Sequence, residues 1–164
     1  MAGLEPLDPA SAGVIASWVT SRAEATLAGG PQLPWPLTGQ LLLGIDADPL
    51  WQVLVLREGS GTVVASGSFF TKEEGRRLRI GRVIVDPSRR GEGWGRVLME
   101  ALLAEADGRP AVAFTELAVF EHNTVARELY RKLGFAETGE SRQVAVDDET
   151  WLALEMERAT PPRE

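Results

Sequence analysis

Apolar residues are spaced along the chain with two different periods, and these periods predict where helices and strands lie. Near the N-terminus they recur every three or four residues, as on one face of a helix, at Val14, Ile15, Trp18 and Val19. Asp8-Pro9 before them is typical of an N-cap and a first helical turn, and Gly29-Gly30-Pro31 is expected to end this helix. Three prolines exclude a helix from residues 31–38, and Thr38 is expected to cap a short second helix.

Short runs rich in β-branched and aromatic residues predict strands in the rest of the chain. The first two runs flank Gly59-Ser60-Gly61, a turn sequence that predicts a hairpin, and the last two flank Asp147-Asp148 in the same way. The predicted strands are WQVLVLRE (51–58), TVVASGSFF (62–70), LRIGRVIV (78–85), AVAFTELAV (111–119), ESRQVAV (140–146) and TWLALEME (150–157).

Two further amphipathic helices separate the later strands. One follows a loop at residues 88–95, and the other is expected to be capped by Asn123 and to end at Gly134. The resulting order, α, α, β, β, β, α, β, α, β, β, predicts an α+β fold with a largely antiparallel sheet and parallel pairing where a helix connects consecutive strands. No composition break divides the chain, so we expect one domain over residues 1–158 and a frayed tail at 159–164.

The composition narrows the chemistry that is available. The 164 residues include no cysteine and one histidine, which excludes disulfides, thiolate metal sites and cysteine nucleophiles. We therefore expect no metal. The sequence has no basic leader and no apolar run of about 18 residues, so we expect a cytoplasmic protein without a membrane partner.

Charge is distributed unevenly along the chain. The net charge is −7, which argues against nucleic acid as a partner. Residues 71–96 nevertheless hold eight of the 17 basic residues and carry +4, which leaves −11 on the remainder. This basic segment is either a solvated strand and loop or a site for a small anionic ligand.

The richest local motif is the loop at residues 90–96, RGEGWGR, between a predicted strand and a predicted helix. Its three glycines allow successive backbone N–H groups to converge on one anion, and the helix N-terminus adds free donors and a positive dipole end. The loop lacks the Gly-Lys-Ser/Thr of a Walker A motif, and its G-x-G-x-G spacing differs from the Rossmann fingerprint. The motif therefore predicts a site for a phosphate or pyrophosphate, in a protein that has neither a P-loop nor a Rossmann dinucleotide-binding motif.

Two blocks of sequence resemble the signatures of the GNAT family of N-acetyltransferases. Arg90, Gly93 and Gly95 match the R-x-x-G-x-G pattern that cradles the pyrophosphate of acetyl-CoA in that family. A second block matches L-x-V-x-x-x-N-x-x-A-x-x-x-Y-x-x-x-G-F through Leu117, Val119, Asn123, Ala126, Tyr130, Gly134 and Phe135. Within the family, the chain most resembles bacterial ribosomal-protein alanine N-acetyltransferases.

The resemblance implies a GNAT fold and an acetyl-CoA site. The implied fold is a mixed, mostly antiparallel central sheet of about six to seven strands, flanked by helices, with a splayed parallel strand pair. The pantetheine arm is expected to lie in the splay along the main chain of residues 83–85. The implied cofactor-binding residues are Val83, Ile84, Val85, Arg90, Gly91, Glu92, Gly93, Trp94, Gly95, Arg96, Asn123 and Tyr130.

The resemblance also places the only tyrosine, Tyr130, at the family's general-acid position. A phenol with a reference pKa of about 10 can protonate a thiolate whose conjugate acid lies near 8.5. The carboxylate bases used in the family are absent here, since Arg79 and Ala118 stand at their positions. This leaves Glu116 acting through water, His122, or bulk water itself as the proton acceptor.

These observations predict an acetyl-CoA-dependent N-acetyltransferase in which a primary amine attacks directly within a ternary complex. The alternative is a noncatalytic acyl-CoA-binding or regulatory module, which the missing carboxylate base favours. The acceptor is expected to be a small molecule or a peptide N-terminus held by residues 18–51 and 141–151, and the −11 outside residues 71–96 favours a cationic α-amine. The protein is expected to be a monomer or a homodimer.

Overall fold

The computed structural model describes residues 3–163. This part of the chain forms a seven-stranded sheet, five α-helices and two 3₁₀ turns at residues 73–75 and 87–89. The strands are β1 (Gly3–Pro6), β2 (Trp51–Arg57), β3 (Val63–Lys72), β4 (Arg77–Val85), β5 (Phe114–Phe120), β6 (Ala136–Val146) and β7 (Glu149–Ala159). The helices are α1 (Pro9–Ser17), α2 (Arg22–Gly29), α3 (Gly39–Asp46), α4 (Trp94–Asp107) and α5 (Thr124–Lys132).

The sheet is mixed and mostly antiparallel, in the order β1-β2-β3-β4-β5-β7-β6. Among the strands within residues 3–163, only β4 and β5 pair in parallel, and α4 is the helix that connects them. This arrangement confirms the predicted α+β class and the predicted parallel pairing across a helix.

The N-terminal region differs from the sequence prediction in two ways. β1 was not predicted, because GLEP is short and lacks an alternating pattern, yet it pairs with β2 at the sheet edge, Leu4 opposite Leu56. The single helix predicted before Gly29 is two helices, because Ser21 accepts a hydrogen bond from the Glu24 N–H and starts α2 anew.

The C-terminal end of the chain is ordered further than predicted. Ala159, the expected start of a frayed tail, pairs with Phe114 as the last residue of β7. The Thr160 N–H and hydroxyl then donate to the carbonyl oxygens of Ala113 and Val112, at 2.9 Å each. These contacts fix the end of β7 against the segment that leads into β5.

Helices cover both faces of the sheet and enclose two apolar cores. Leu54 and Leu56 of β2 point to the side where α4 buries Leu98 and Leu102. The alternate residues Val53 and Val55 point to the side covered by α1–α3. The alternation of side chains along the strands therefore places one apolar core on each face of the sheet.

β4 and β5 separate soon after they begin to pair. Their ladder covers only Arg77–Arg79 opposite Phe114–Glu116. Further along β4 the register against β3 shifts between Ser66 and Ser68, and Arg82 at this bulge has φ of 53°. A bulge bends the strand that carries it, so β4 turns away from β5 and leaves backbone groups on both strands without a ladder partner.

Two negative findings concern the described residues 3–163. No helix among them is long and apolar enough to cross a membrane. Nor do any three histidine or acidic side chains in this range come close enough together to hold a metal ion.

Candidate active site

A cleft of about 1750 Å³ opens where β4 and β5 diverge. Its walls come from the end of α2, from β4 and β5, from the start of α4, from one face of α5 and from β6 and β7. Seven of the residues predicted to bind the cofactor line it: Val83, Ile84, Val85, Arg90, Gly95, Asn123 and Tyr130. The two sequence blocks that carry the family signature therefore meet at one opening.

The N-terminus of α4 forms one end of the cleft and has free hydrogen-bond donors. Gly93 is the N-cap residue, with φ of 91°, and no side chain caps the helix. A non-glycine residue is strained in this left-handed conformation, so the sequence needs glycine here. The first N–H groups of α4 have no intrahelical acceptor and carry the positive end of the helix dipole, which suits an anion.

Three side chains of this loop are occupied elsewhere and do not line the cleft. Glu92 accepts hydrogen bonds from Arg89, Trp94 packs partly against the α4 core, and Arg96 pairs with Glu100 at 2.8 Å. Of these three residues, which were predicted to bind the cofactor, only the backbone N–H groups are therefore free to do so.

Val83, Ile84 and Val85 combine a structural role with an open main chain. Val83 and Val85 pack against the α4 core, and Ile84 packs on the opposite face with α1–α3. Their edge toward β5 lies beyond the end of the β4–β5 ladder. Backbone groups on this edge of β4 are therefore free of β5, which leaves them available to a peptide-like ligand.

Asn123 and Tyr130 present polar groups to the cleft from α5. The Asn123 side chain accepts from the Ala126 N–H at 3.3 Å and so caps the helix, while the residue also lines the cleft. Tyr130 is 9% exposed and packs edge-on against Phe135, and its hydroxyl makes no hydrogen bond with another described residue. Because burial disfavours the phenolate, it raises the pKa of Tyr130 to about 12.

Glu116 lies on the cleft floor and is held by cations. Its carboxylate accepts from Lys72 Nζ at 3.0 Å and from Arg79 Nη1 at 2.6 Å, and Arg77 Nε lies 3.5 Å away. Burial by itself would raise the pKa of this carboxyl, but the hydrogen bonds and charges of Lys72 and Arg79 outweigh it and hold the pKa below its ordinary 4.5. A carboxylate with a lowered pKa and engaged oxygens is a weak proton acceptor, which disfavours the predicted role of Glu116 as a base.

His122 lies outside this cleft. It is exposed, and its ring centre is 4.8 Å from that of Trp151 and 5.9 Å from that of Phe120. Since the ring lines a separate shallow depression with Trp151, the structure also disfavours His122 as the base.

A row of side chains crosses the sheet beneath the cleft. Trp51, Phe70, Arg79, Glu116 and Glu157 stand opposite one another on β2, β3, β4, β5 and β7. Directly opposed residues point to the same face, so the row forms the floor of the cleft on the side of α1–α3. This row is not visible in the sequence, because it depends on the register of strands that are distant in the chain.

Most cations of the basic segment are already neutralised within the protein. Arg77 and Arg79 pair with Glu157 and Glu155, and Arg89 pairs with Glu58 at 2.6 Å. Of the segment's cations, Arg82 and Arg90 both line the cleft and have no ion-pair partner among residues 3–163. Arg82 and Arg90 are therefore the side chains of this segment that can bind an anionic ligand in the cleft.

The chain belongs to the acetyltransferase (GNAT) family, whose sequence pattern matches residues 17–135. A UPF0039 protein of Schizosaccharomyces pombe is 35% identical over 82 residues, which are 50% of this chain and 53% of that protein. An IAA acetyltransferase of Azospirillum brasilense is 38% identical over 108 residues, which are 64% of this chain and 69% of that protein. The matching segment thus spans about half of the first relative.

Solved structures share the fold at low sequence identity. The spermidine N-acetyltransferase of Vibrio cholerae, in complex with CoA and spermine, superposes with a TM-score of 0.82 at 16% identity, covering 97% of this chain and 95% of that one. The ribosomal-protein-S18-alanine N-acetyltransferase of Escherichia coli superposes with a TM-score of 0.73 at 21% identity, covering 100% and 97%. These likenesses confirm the GNAT fold that the two sequence blocks predicted.

Proposed function

We propose that this GNAT protein transfers the acetyl group of acetyl-CoA to a primary amine by direct attack within a ternary complex. The observation that carries the proposal is the convergence on one cleft of an uncapped helix N-terminus, an unpaired strand edge and a buried tyrosine. The first two fit the pyrophosphate and the amide-containing arm of CoA. The hydroxyl of the buried tyrosine can supply the proton that the leaving thiolate needs.

Acetyl-CoA would be held by the residues that already present free donors and acceptors. The N–H groups at Gly93–Arg96, together with Arg90, suit the pyrophosphate, and the backbone of Val83–Val85 suits the pantetheine amides. Asn123 adds a side-chain amide on the opposite wall. When bound, acetyl-CoA supplies an activated thioester, and the Vibrio cholerae spermidine N-acetyltransferase that shares the fold has been solved in complex with CoA.

The proton balance assigns a role to Tyr130. The amine nitrogen forms a bond to the thioester carbonyl carbon, the carbon–sulfur bond breaks, and the sulfur leaves with the bonding electron pair. Tyr130 donates its hydroxyl proton to that sulfur and regains a proton from solvent. The proton lost by the amine passes to water in the cleft, because Glu116 is engaged by Lys72 and Arg79.

The raised pKa of Tyr130 predicts the pH dependence of turnover. Since the phenol stays protonated up to a pKa of about 12, kcat/KM should rise with pH as the amine deprotonates and then stay on a plateau to about pH 10. Steady-state rates from pH 6 to about 10, with folding checked at each pH, measure this profile. A fall with a midpoint below about pH 10 that is absent from Tyr130→Phe would contradict the raised pKa, whereas a flat profile in both proteins with equal rates would contradict the role of Tyr130 as the acid.

Replacing Glu116 with glutamine separates a structural role from a basic one. The change should lower the free energy of unfolding by about 1–3 kcal/mol, since Lys72, Arg77 and Arg79 lose the charge that balances them. Because the pKa of Glu116 is lowered, its stabilising contribution is fully present above about pH 4.5 and is lost as the pH falls through its folded value. The stability difference between the two proteins should therefore shrink in acid.

The control for this change is Glu100→Gln. Glu100 pairs with Arg96 on the exposed side of α4 at 2.8 Å, and its loss should leave the unfolding transition in place. Denaturant unfolding at several pH values reports the stability, and the pH profile of kcat/KM reports the chemistry. Glu116 would instead be the base if Glu116→Gln lowered kcat by about 10²-fold or more and also abolished the rise of kcat/KM with pH.

The acceptor is proposed to be a primary amine bound on the floor of the cleft. Segments expected to bind it contribute Trp18, Trp51 and Arg142 to the cleft wall. Relatives named for spermidine, a ribosomal-protein alanine and IAA show that the family accepts different substrates, and none of these names fixes the acceptor of this chain.

Thiol release from acetyl-CoA, measured with and without a panel of amines, tests the proposed function. The panel contains amino acids, peptides, polyamines and aminoglycosides. We expect at least one amine to raise the rate well above the rate with acetyl-CoA alone. CoA binding by calorimetry with no amine-dependent turnover for any member would instead support the noncatalytic acyl-CoA-binding alternative.

A further inference from the structure

Arg82 is a partly buried charged group of the cleft to which the proposed chemistry gives no role. Its side chain lines the cleft, and its Cζ atom lies 3.8 Å from the centre of the Trp51 ring. Its Nη1 atom is buried and has no hydrogen-bond partner in the part of the chain that the structure describes. Its backbone is in the left-handed region at φ of 53°, which is costly for an arginine. The fold thus tolerates both backbone strain and an unpaired cation at this position.

Arg82 is not unpaired for want of acidic side chains near its strand. On the same strand, Arg79 binds Glu155 through two hydrogen bonds of 2.9 Å, and Arg77 binds Glu157 at 3.0 Å. Burial lowers the pKa of the Arg82 guanidinium from its ordinary value. A half-buried cation without a counter-charge costs free energy, and such groups are concentrated at sites where a ligand provides the missing charge.

The surroundings fix the guanidinium in place. A Cβ atom on Gly29 would lie 3.0 Å from Arg82 Cγ and 2.8 Å from Leu33 Cβ, so the end of α2 packs closely on the arginine stem. On the other side, Trp51 is itself packed on Phe70, with ring centres 4.8 Å apart. The guanidinium is therefore preorganised, and the Arg82 side chain loses little conformational entropy when a ligand binds to it.

We propose that Arg82, supported by Trp51, binds a carboxylate of the acceptor, so that the acceptor is a primary amine that also carries a carboxylate, as a free amino acid does. This inference rests on the proposed N-acetyltransferase function. The planar fork of a guanidinium matches a carboxylate through two parallel hydrogen bonds, which a point charge does not reproduce.

The charge balance of the cleft agrees with a zwitterionic acceptor. Six basic and six acidic side chains line the cleft, although the chain as a whole carries −7. The excess negative charge, from which a cationic acceptor was expected, therefore lies on the protein surface outside the cleft. An amine with a carboxylate has no net charge and meets an unpaired cation at Arg82.

The test compares acetylation of the standard L-amino acids with acetylation of the corresponding amino-acid amides. For each pair that is turned over, the ratio of kcat/KM for the acid to kcat/KM for the amide is measured in the parent protein, in Arg82→Met and in Arg82→Lys. The amine pKa differs between acid and amide, but this difference cancels when the ratios of two proteins are compared. Arg82→Met keeps an unbranched stem against Trp51 and removes the charge.

We expect the parent to prefer the acid, and Arg82→Met to lower the acid-to-amide ratio by about 10- to 100-fold, as for loss of hydrogen bonds to a charged group. Arg82→Lys should lose part of the preference, because the charge remains and the fork does not. The matched control is Arg109→Met. Arg109 also stacks on a ring, 4.9 Å from the centre of Phe69, but it does not line the cleft, so the ratio should be unchanged.

Several results would overturn the inference. A ratio in Arg82→Met within about twofold of the parent would do so, as would a parent preference for the amides; if the Met variant does not fold, an unchanged ratio in Arg82→Lys decides in the same way. Turnover of polyamines or peptides but of no amino acid would reject the carboxylate site and leave the proposed function standing. Absence of turnover with every amine, despite CoA binding, would reject the proposed function and this inference together.

Discussion

Replacing Tyr130 with phenylalanine should lower kcat by about 10²- to 10⁴-fold, the range expected when a positioned general acid is removed. The change deletes one oxygen atom from a side chain that is 9% exposed and packed edge-on against Phe135, so the fold should be retained. The affinity for CoA should also be retained, because the proton is needed only as the carbon–sulfur bond breaks. Single-turnover kinetics with acetyl-CoA and an active amine measure the effect on chemistry alone.

Two controls accompany the Tyr130 variant. Calorimetry with CoA shows whether the site is intact, and thermal unfolding shows whether the α5 packing survives. A single-turnover rate within about twofold of the parent would assign Tyr130 to packing rather than to proton donation.

Replacing Gly93 with aspartate should weaken CoA binding by about 100-fold or more, because juxtaposed like charges cost several kcal/mol. Gly93 is the N-cap residue of α4, and no side chain occupies the space within 4 Å of a Cβ built there. The added carboxylate would stand beside the free N–H groups proposed to bind the pyrophosphate. Calorimetric titration with CoA measures the change directly.

The matched control for this variant is Gly93→Asn. Asparagine and aspartate have nearly the same shape, and the strain of placing a side chain at φ of 91° is similar for both, so it cancels in the comparison. The asparagine variant should therefore retain most of the CoA affinity that the aspartate variant loses. Equal affinities in the two folded variants would show that the anion does not bind at the α4 N-terminus.

The local features of the fold and site follow from the sequence alone. The glycine loop, the cap at Asn123 and the position of Tyr130 depend on residues that are neighbours in the chain, and the structure places all three at one cleft. Strand and helix periodicity likewise predicts most of the sheet. The short strand β1 escapes prediction, since four residues are too few to show a period.

Features that depend on long-range register are not visible in the sequence. Glu116 is 44 residues from Lys72 and 37 from Arg79, and only the pairing of β3, β4 and β5 brings them together. As a result, a carboxylate that the sequence offers as a base proves to be the counter-ion of a cationic cluster. Arg82 is a similar case, because its exposure to the cleft depends on the β4 bulge.

The central claim, acetyl transfer to an amine, is tested most directly by the product. The protein is incubated with acetyl-CoA that carries an isotopic label in the acetyl group, together with the amine panel, and the amines are analysed by mass spectrometry. The account predicts a labelled N-acetyl amine whose amount rises with protein concentration and falls by about 10²-fold or more with Tyr130→Phe. Release of labelled acetate alone, with every amine unmodified, would contradict it.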